Sequence, residues 1–217
     1  MLTILAFNAR AQNEDSLKIR ALANEILLHS KAYENLRVLT KQVGGRLAGS
    51  PQTYKAEAWG RKALEQAGAD RVIEQPCLVP HWVRGGKDEA SAVGWKTAQL
   101  DVLALGNSVG TGPKGISAPV VLVNSFEELE QKKGSVKGKI VFYNAKFNDT
   151  YIKTFEAYRD AVGYRGAGPS QAAKYGAVAV LVRSMSHAAD NNPHTGATRY
   201  NDSFPKPLQV FWGKNRC

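Results

Sequence analysis

The chain has 217 residues, and 29 lysines and arginines against 19 aspartates and glutamates leave it at +10. At about 150 residues per domain, this is one to two domains with chain enough for a real core. A hydrophobic content of 43% with 22% charged residues excludes wholesale disorder, a collagen-like rod and a coiled coil. Nowhere does an apolar run approach the roughly 20 residues that cross a bilayer, so no membrane span is expected.

Cys77 and Cys217 are the two cysteines, and no C-x-x-C pair exists. A disulfide scaffold, a cysteine-ligated zinc ribbon and an iron–sulfur site are thereby excluded. Basic residues are scattered through the chain rather than massed in one run. Solvated helix faces explain them better than a phosphate-backbone surface, and no nucleic-acid partner is expected.

Residues 1–12 read MLTILAFNARAQ, a short apolar stretch followed by Ala9-Arg10-Ala11, a small-x-small pattern of the kind a signal peptidase recognises. Residues 1–11 are read as a signal-peptide remnant, with a frayed N-terminus as the alternative. The first reading places the mature protein outside the cytoplasm, secreted or periplasmic. From Glu14 onward Leu17, Ala21, Leu22 and Ile26 recur at helical spacing, and a second helical stretch over 33–43 ends at Gly44-Gly45. Ser50-Pro51 supplies an N-cap and a first-turn proline for a third helix, which Gly68 closes.

Strand-like runs follow at 71–79 (RVIEQPCLV) and 89–96 (EASAVGWK), with turn-rich residues 80–86 between them. Beyond Leu100 come four short, β-branched runs, LDVLALG, APVVLVN, GKIVFYN and AVAVLVRS, with helical pieces at 126–133 and 169–175. This is an α/β (α+β) pattern, and the second half suggests a compact β-sandwich or barrel with flanking helices. A domain boundary is placed near Ala98.

Catalytic patterns are sparse. The four histidines are His29, His81, His187 and His194; the first two read as structural or exposed. His187, Asp190 and His194 put three ligand-type side chains on one polar loop, SMSHAADNNPHTG, which reads better as a solvated loop than as a metal site. G-x-S-x-G does not occur, and Gly49-Ser50-Pro51 is better explained by the helix cap than by a nucleophile turn. Cys77, inside a strand-like run, is expected to be a buried, inert thiol. The glycine-rich stretch 106–112 lacks the G-K-[ST] of a phosphate loop.

Several segments in one order nevertheless resemble a known family, the carboxypeptidase Q (plasma glutamate carboxypeptidase) group of zinc-dependent exopeptidases. They are AYENLRVLTKQVGGRLAGSP at 32–51, the AEAWGRKAL helix, VIEQPCLVPHWVRG, LDVLALGNSVGT, VKGKIVFYN, YGAVAVLVRS, and PHTG with Tyr200. The resemblance covers about residues 14–207. It implies an incomplete N-terminal part of a zinc-exopeptidase α/β domain over 12–98, followed by a protease-associated (PA) insert over 99–207. It also implies that two zinc ions, their ligands and the glutamate base follow the insert in full-length relatives. No metal ligand or catalytic residue is then expected in this chain, and no cofactor of its own.

Two hypotheses follow. In the first the chain is an N-terminal fragment of a secreted zinc exopeptidase, inactive without its metal ligands, whose full-length relative would act on peptides or dipeptides. In the second it is a stand-alone PA-type module that binds substrate or protein. Its contact candidates are Arg183, Ser184, His194 and Thr195, since a strand-end arginine can pair with a terminal carboxylate; a surface salt bridge is the competing role for Arg183. A homodimer is the candidate assembly. Residues 208–217 depart from the family pattern. Read one frame over, Phe211-Trp212 and Trp212-Gly213 force Leu and Gly, within a permitted P-A-S-I-L-G-K-E. A frameshift near Lys206 and a cut chain with an unrelated end both stay open. Residues up to about Lys96, lacking sheet partners, are expected to be less stable than the second half.

Overall fold

A computed structural model describes residues 4–94, 96–188 and 190–212. The polypeptide divides into two compact units, Met1–His81 and Trp82–Cys217.

The first unit is helical. Helix α1 spans Ile4–His29, running through Ala9-Arg10-Ala11, and its last turn carries an ion pair at 2.8 Å between His29 and Glu25, one helical turn apart. Helix α2, Ala32–Arg37, continues into a π-helical turn, Val38–Val43, that stops at Gly44, whose φ of 81° a side chain would resist. Helix α3, Pro51–Gln66, begins as the sequence dictates: Ser50 Oγ accepts the Thr53 N–H at 3.2 Å, and Pro51 fills the first turn. The helical spacing that forms α1 also gathers its apolar residues, yet Leu17, Leu22 and Ile26 stand about two-thirds exposed. No described side chain before Trp82 is buried.

The expected strand over 71–79 does not form; residues 71–88 carry no helix or strand. Pro76 and Pro80 each remove a ladder donor, and no neighbouring strand offers a partner. Cys77 is consequently exposed, not buried.

The second unit opens with a small antiparallel pair, β1 (Ala90–Ala92) and β2 (Ala98–Leu100). Its main sheet has five strands: β3 (Val102–Ala104), β4 (Val120–Val123), β5 (Ile140–Tyr143), β6 (Ala179–Arg183) and β7 (Leu208–Trp212), in the order β3-β7-β6-β5-β4. Strands β4 to β7 are mutually parallel, and β3 joins the β7 edge antiparallel. The four strands read from the sequence therefore lie in one mixed sheet. Parallel neighbours require crossovers, and helices supply two of the three. Helix α4 (Phe126–Gln131) links β4 to β5, while α5 (Thr154–Gly166) and α6 (Gly168–Ala173) link β5 to β6.

Parallel strands covered on both faces read as continuous apolar runs, and β5, IVFY, and β6, AVLVR, do so. Val123, Leu129, Val141, Tyr143 and Val180 are 0–1% exposed and form the heart of the core. Each is worth about 1.5–3 kcal/mol of burial. Helix α4 is held at its start by two bonds: Ser125 Oγ, at the N-cap, accepts the Glu128 N–H at 3.1 Å, while the Glu128 carboxylate accepts the N–H of Asn124, one residue before the cap, at 2.7 Å. The β7 strand comes from the segment, 208–217, that departs from the family pattern. Its β-branched and aromatic pattern, LQVFW, pairs with β3 and β6 at once. Gly213 and the residues after it, Cys217 included, lie outside the described residues.

Candidate functional site

In a parallel sheet the loops that leave the carboxyl ends of the strands converge, and ligands collect there. Here the loops after β5 and β6 meet. Arg183, the last residue of β6, is half-buried and donates from Nη1 to Asn144 Oδ1, just past β5, at 3.3 Å. Its partner is thus an amide across the strand ends. Ser184 Oγ accepts the His194 N–H at 3.4 Å, which brings two of the sequence candidates together. Thr195 follows on the same loop and faces solvent.

The long connection from β6 to β7 is strapped to its surroundings by backbone bonds. Gly106 N–H donates to Gly196 O at 2.8 Å, and Thr198 N–H returns to Gly106 O at 3.0 Å. Arg199 N–H donates to Gly166 O at 3.1 Å. Tyr200 Oη donates to Pro207 O at 2.7 Å and accepts the Val109 N–H at 3.3 Å. Burial raises the Tyr200 phenol above its ordinary range. The glycine-rich stretch 106–112 is thus a docking loop for this strap, and Asn107 within it takes a left-handed φ of 67°.

Beside these residues lies an apolar pocket of about 230 Å³, lined by Phe147, Phe155, Tyr158, Met185, Ser186 and His187. His187 sets its ring edge-on to Phe147, with centroids 4.7 Å apart and planes at 87°. Arg165 donates to Tyr158 Oη and also lies 5.4 Å from that ring's centroid. Nothing in the sequence pattern pointed to this pocket.

Zinc needs three or more His, Cys, Asp or Glu side chains converging on one point. Among the described residues no such group exists. In the His187, Asp190 and His194 loop, the His187 ring packs on Phe147, His194 is held through its backbone N–H, and Asp190 Oδ1 accepts the Asn192 N–H at 3.1 Å. The described residues do not fit a zinc site. No helix among the described residues is long and apolar enough to cross a membrane.

The sheet and its helices define a fold found in peptidase chains. A Peptidase M28 precursor from Shewanella amazonensis superposes with a TM-score of 0.80 at 32% identity, covering 90% of this chain and 44% of that one. BSAP, a zinc aminopeptidase from Bacillus subtilis, shares the fold at a TM-score of 0.55 and 19% identity, covering 85% of this chain and 38% of that one. Within that class the chain is a homologue of carboxypeptidase Q. It is 40% identical to the Xenopus laevis protein over 186 residues, 84% of this chain and 38% of the relative. With the Homo sapiens protein it shares 39% over 177 residues, 82% of this chain and 36% of the relative. The chain therefore spans well under half the length of these relatives. No family model matches it.

Proposed function

We propose that these 217 residues are part of a secreted zinc exopeptidase of the carboxypeptidase Q type, acting on peptides or dipeptides. In this reading residues 99–207 are its PA domain, and two zinc ions are held by residues outside this sequence. The observation that carries the reading is 40% identity over 186 residues with the Xenopus laevis protein. One further feature supports it. The apolar face of α1 is uncovered, as expected of a surface that packs on further protein. The test is hydrolysis of dipeptides by the purified 217-residue chain with added zinc. Background turnover is expected; hydrolysis abolished by a chelator would refute the assignment of the metal ligands to other residues.

A second reading, a PA-type binding module, is favoured by one observation: the second unit closes a core of its own around Tyr143, Val141 and Val180. Its contact candidates remain Arg183, Ser184, His194 and Thr195. Calorimetric titration with acidic dipeptides tests it, and binding that survives Arg183→Ala removes Arg183 from the site.

A further inference from the structure

We propose that Glu128 and Lys132 together close the outer edge of β4, and that without them a second copy of this chain adds its own β4 there. The inference rests on neither functional reading above and concerns the second unit alone.

The main sheet ends at β4, which pairs with β5 on one side only. Along a strand, successive residues turn their backbone N–H and C=O groups to opposite sides. Pro119 O accepts the Ile140 N–H at 2.9 Å and Val123 O accepts the Asn144 N–H at 2.8 Å, so the odd-numbered residues serve β5. Val120, Leu122 and Asn124 therefore present their backbone groups outward. The segment invites pairing: APVVLVN, 118–124, carries no charge, Val120–Val123 are apolar throughout, and Val120 and Leu122 are about half exposed. Proline blunts many sheet edges, but Pro119 lacks its N–H on the β5 side and guards nothing outside.

Helix α4 starts directly after β4 and lays two side chains back along this edge. Glu128 Oε2 accepts the Asn124 N–H at 2.7 Å and the Asn124 Nδ2 at 2.9 Å. One helical turn on, Lys132 Nζ donates to Leu122 O at 3.0 Å and to Glu128 Oε1 at 2.6 Å. An ordinary surface ion pair contributes little and leaves the backbone alone. This one occupies the Leu122 acceptor and the Asn124 donor, neighbouring groups that an added strand would need. Charged side chains, lysine above all, are the usual guard of an exposed edge. At the opposite end of the sheet, Asp88 Oδ2 accepts the Ala104 N–H of β3 at 2.9 Å while Arg84 pairs with Asp88 at 3.0 Å. A carboxylate paired with a cation four residues away thus stands on both outer strands.

A second copy is the occupant because its edge is identical. One register uses all three outward residues: antiparallel, with Leu122 opposite Leu122 and Val120 opposite Asn124.

The intact chain is compared with the double variant Glu128→Ala, Lys132→Ala by sedimentation and amide exchange over a hundredfold range of concentration, with reductant present because Cys77 is exposed. In the native chain, exchange at the Leu122 N–H should not depend on concentration. In the double variant it should slow at least tenfold with concentration as a dimer forms, and adding Val120→Lys should restore the native behaviour. Protection at Val141 and Phe142 reports that the core is intact; where the double variant loses it, Lys132→Met, which keeps Glu128, decides by the same readings. Concentration-dependent protection of Leu122 in the native chain, a variant that gains none, or a dimer that survives Val120→Lys would each overturn the proposal.

Discussion

Replacing Gly168 by alanine sets two effects of opposite sign against each other at the start of α6. Alanine is the better helix former, and relief of glycine's backbone entropy is worth at most about 1 kcal/mol in a helix interior and less at a first turn. Against this, a Cβ at Gly168 would lie 2.9 Å from Tyr143 Cε2 and 3.3 Å from Cδ2. The Tyr143 ring has nowhere to go: it is fully buried, packs edge-on to Phe126 at 5.6 Å, touches Tyr164 at 5.4 Å, and donates from Oη to Gly168 O at 2.9 Å. Overpacking of this kind costs about 1–3 kcal/mol, and lengthening the Tyr143 hydrogen bond takes part of a further ~1 kcal/mol. The net expectation for Gly168→Ala is a loss of about 1–2 kcal/mol. Native-state hydrogen exchange at the Val141 and Phe142 amides, deep in the second unit, reads this loss without interference from the first. In a Tyr143→Leu background the clashing ring atoms are gone, and the same substitution should become nearly neutral. Unchanged or raised protection in the single variant, or an equal loss in both backgrounds, would refute the argument.

Glu128 makes an acid-range prediction. Lys132, then the Asn124 N–H and side-chain amide, hold its carboxyl at about 2 against an ordinary value of 4.5. Its contribution is complete above about 4.5 and is lost as pH falls towards 2, so the stability gap between the native chain and Glu128→Gln should shrink over that window. Acid titration followed by circular dichroism measures it, and a gap that widens on acidification would contradict the assignment. The two units should also differ in protection. Amides of α1 and α3 should exchange faster than those of β5 and β6, because the first unit buries no described side chain; equal protection in a monomer would show that something covers the α1 face.

Much of the architecture was legible in the residues. Helical periodicity and the Ser50-Pro51 start located α1 to α3, and β-branched runs located β3 to β6. Other elements escaped for physical reasons. The buried face of α5 is made from Ala157 and Ala161, small residues that dilute the hydrophobic signal, and Gly163 and Gly166 argue locally against a helix. The run 71–79 looks like a strand by composition, but strands need partners, and Pro76 within it and Pro80 just after it withhold donors. Residues 208–217 depart from the family pattern, yet LQVFW carries strand propensity of its own and forms β7. The Arg183 and Asn144 contact, and the pocket joining Phe147 to His187, exist only because parallel pairing brings the ends of β5 and β6 side by side.

The insertion of Leu208–Trp212 between β3 and β6 imposes an order of assembly. Strands β4, β5 and β6 can zip together through connections that lie between them in the chain, whereas Val102–Ala104 pairs with residues more than a hundred positions later. During synthesis β3 must wait beside an unfinished sheet until translation has passed Trp212, so ribosome-bound chains shorter than this carry an open β6 edge for chaperones to shield.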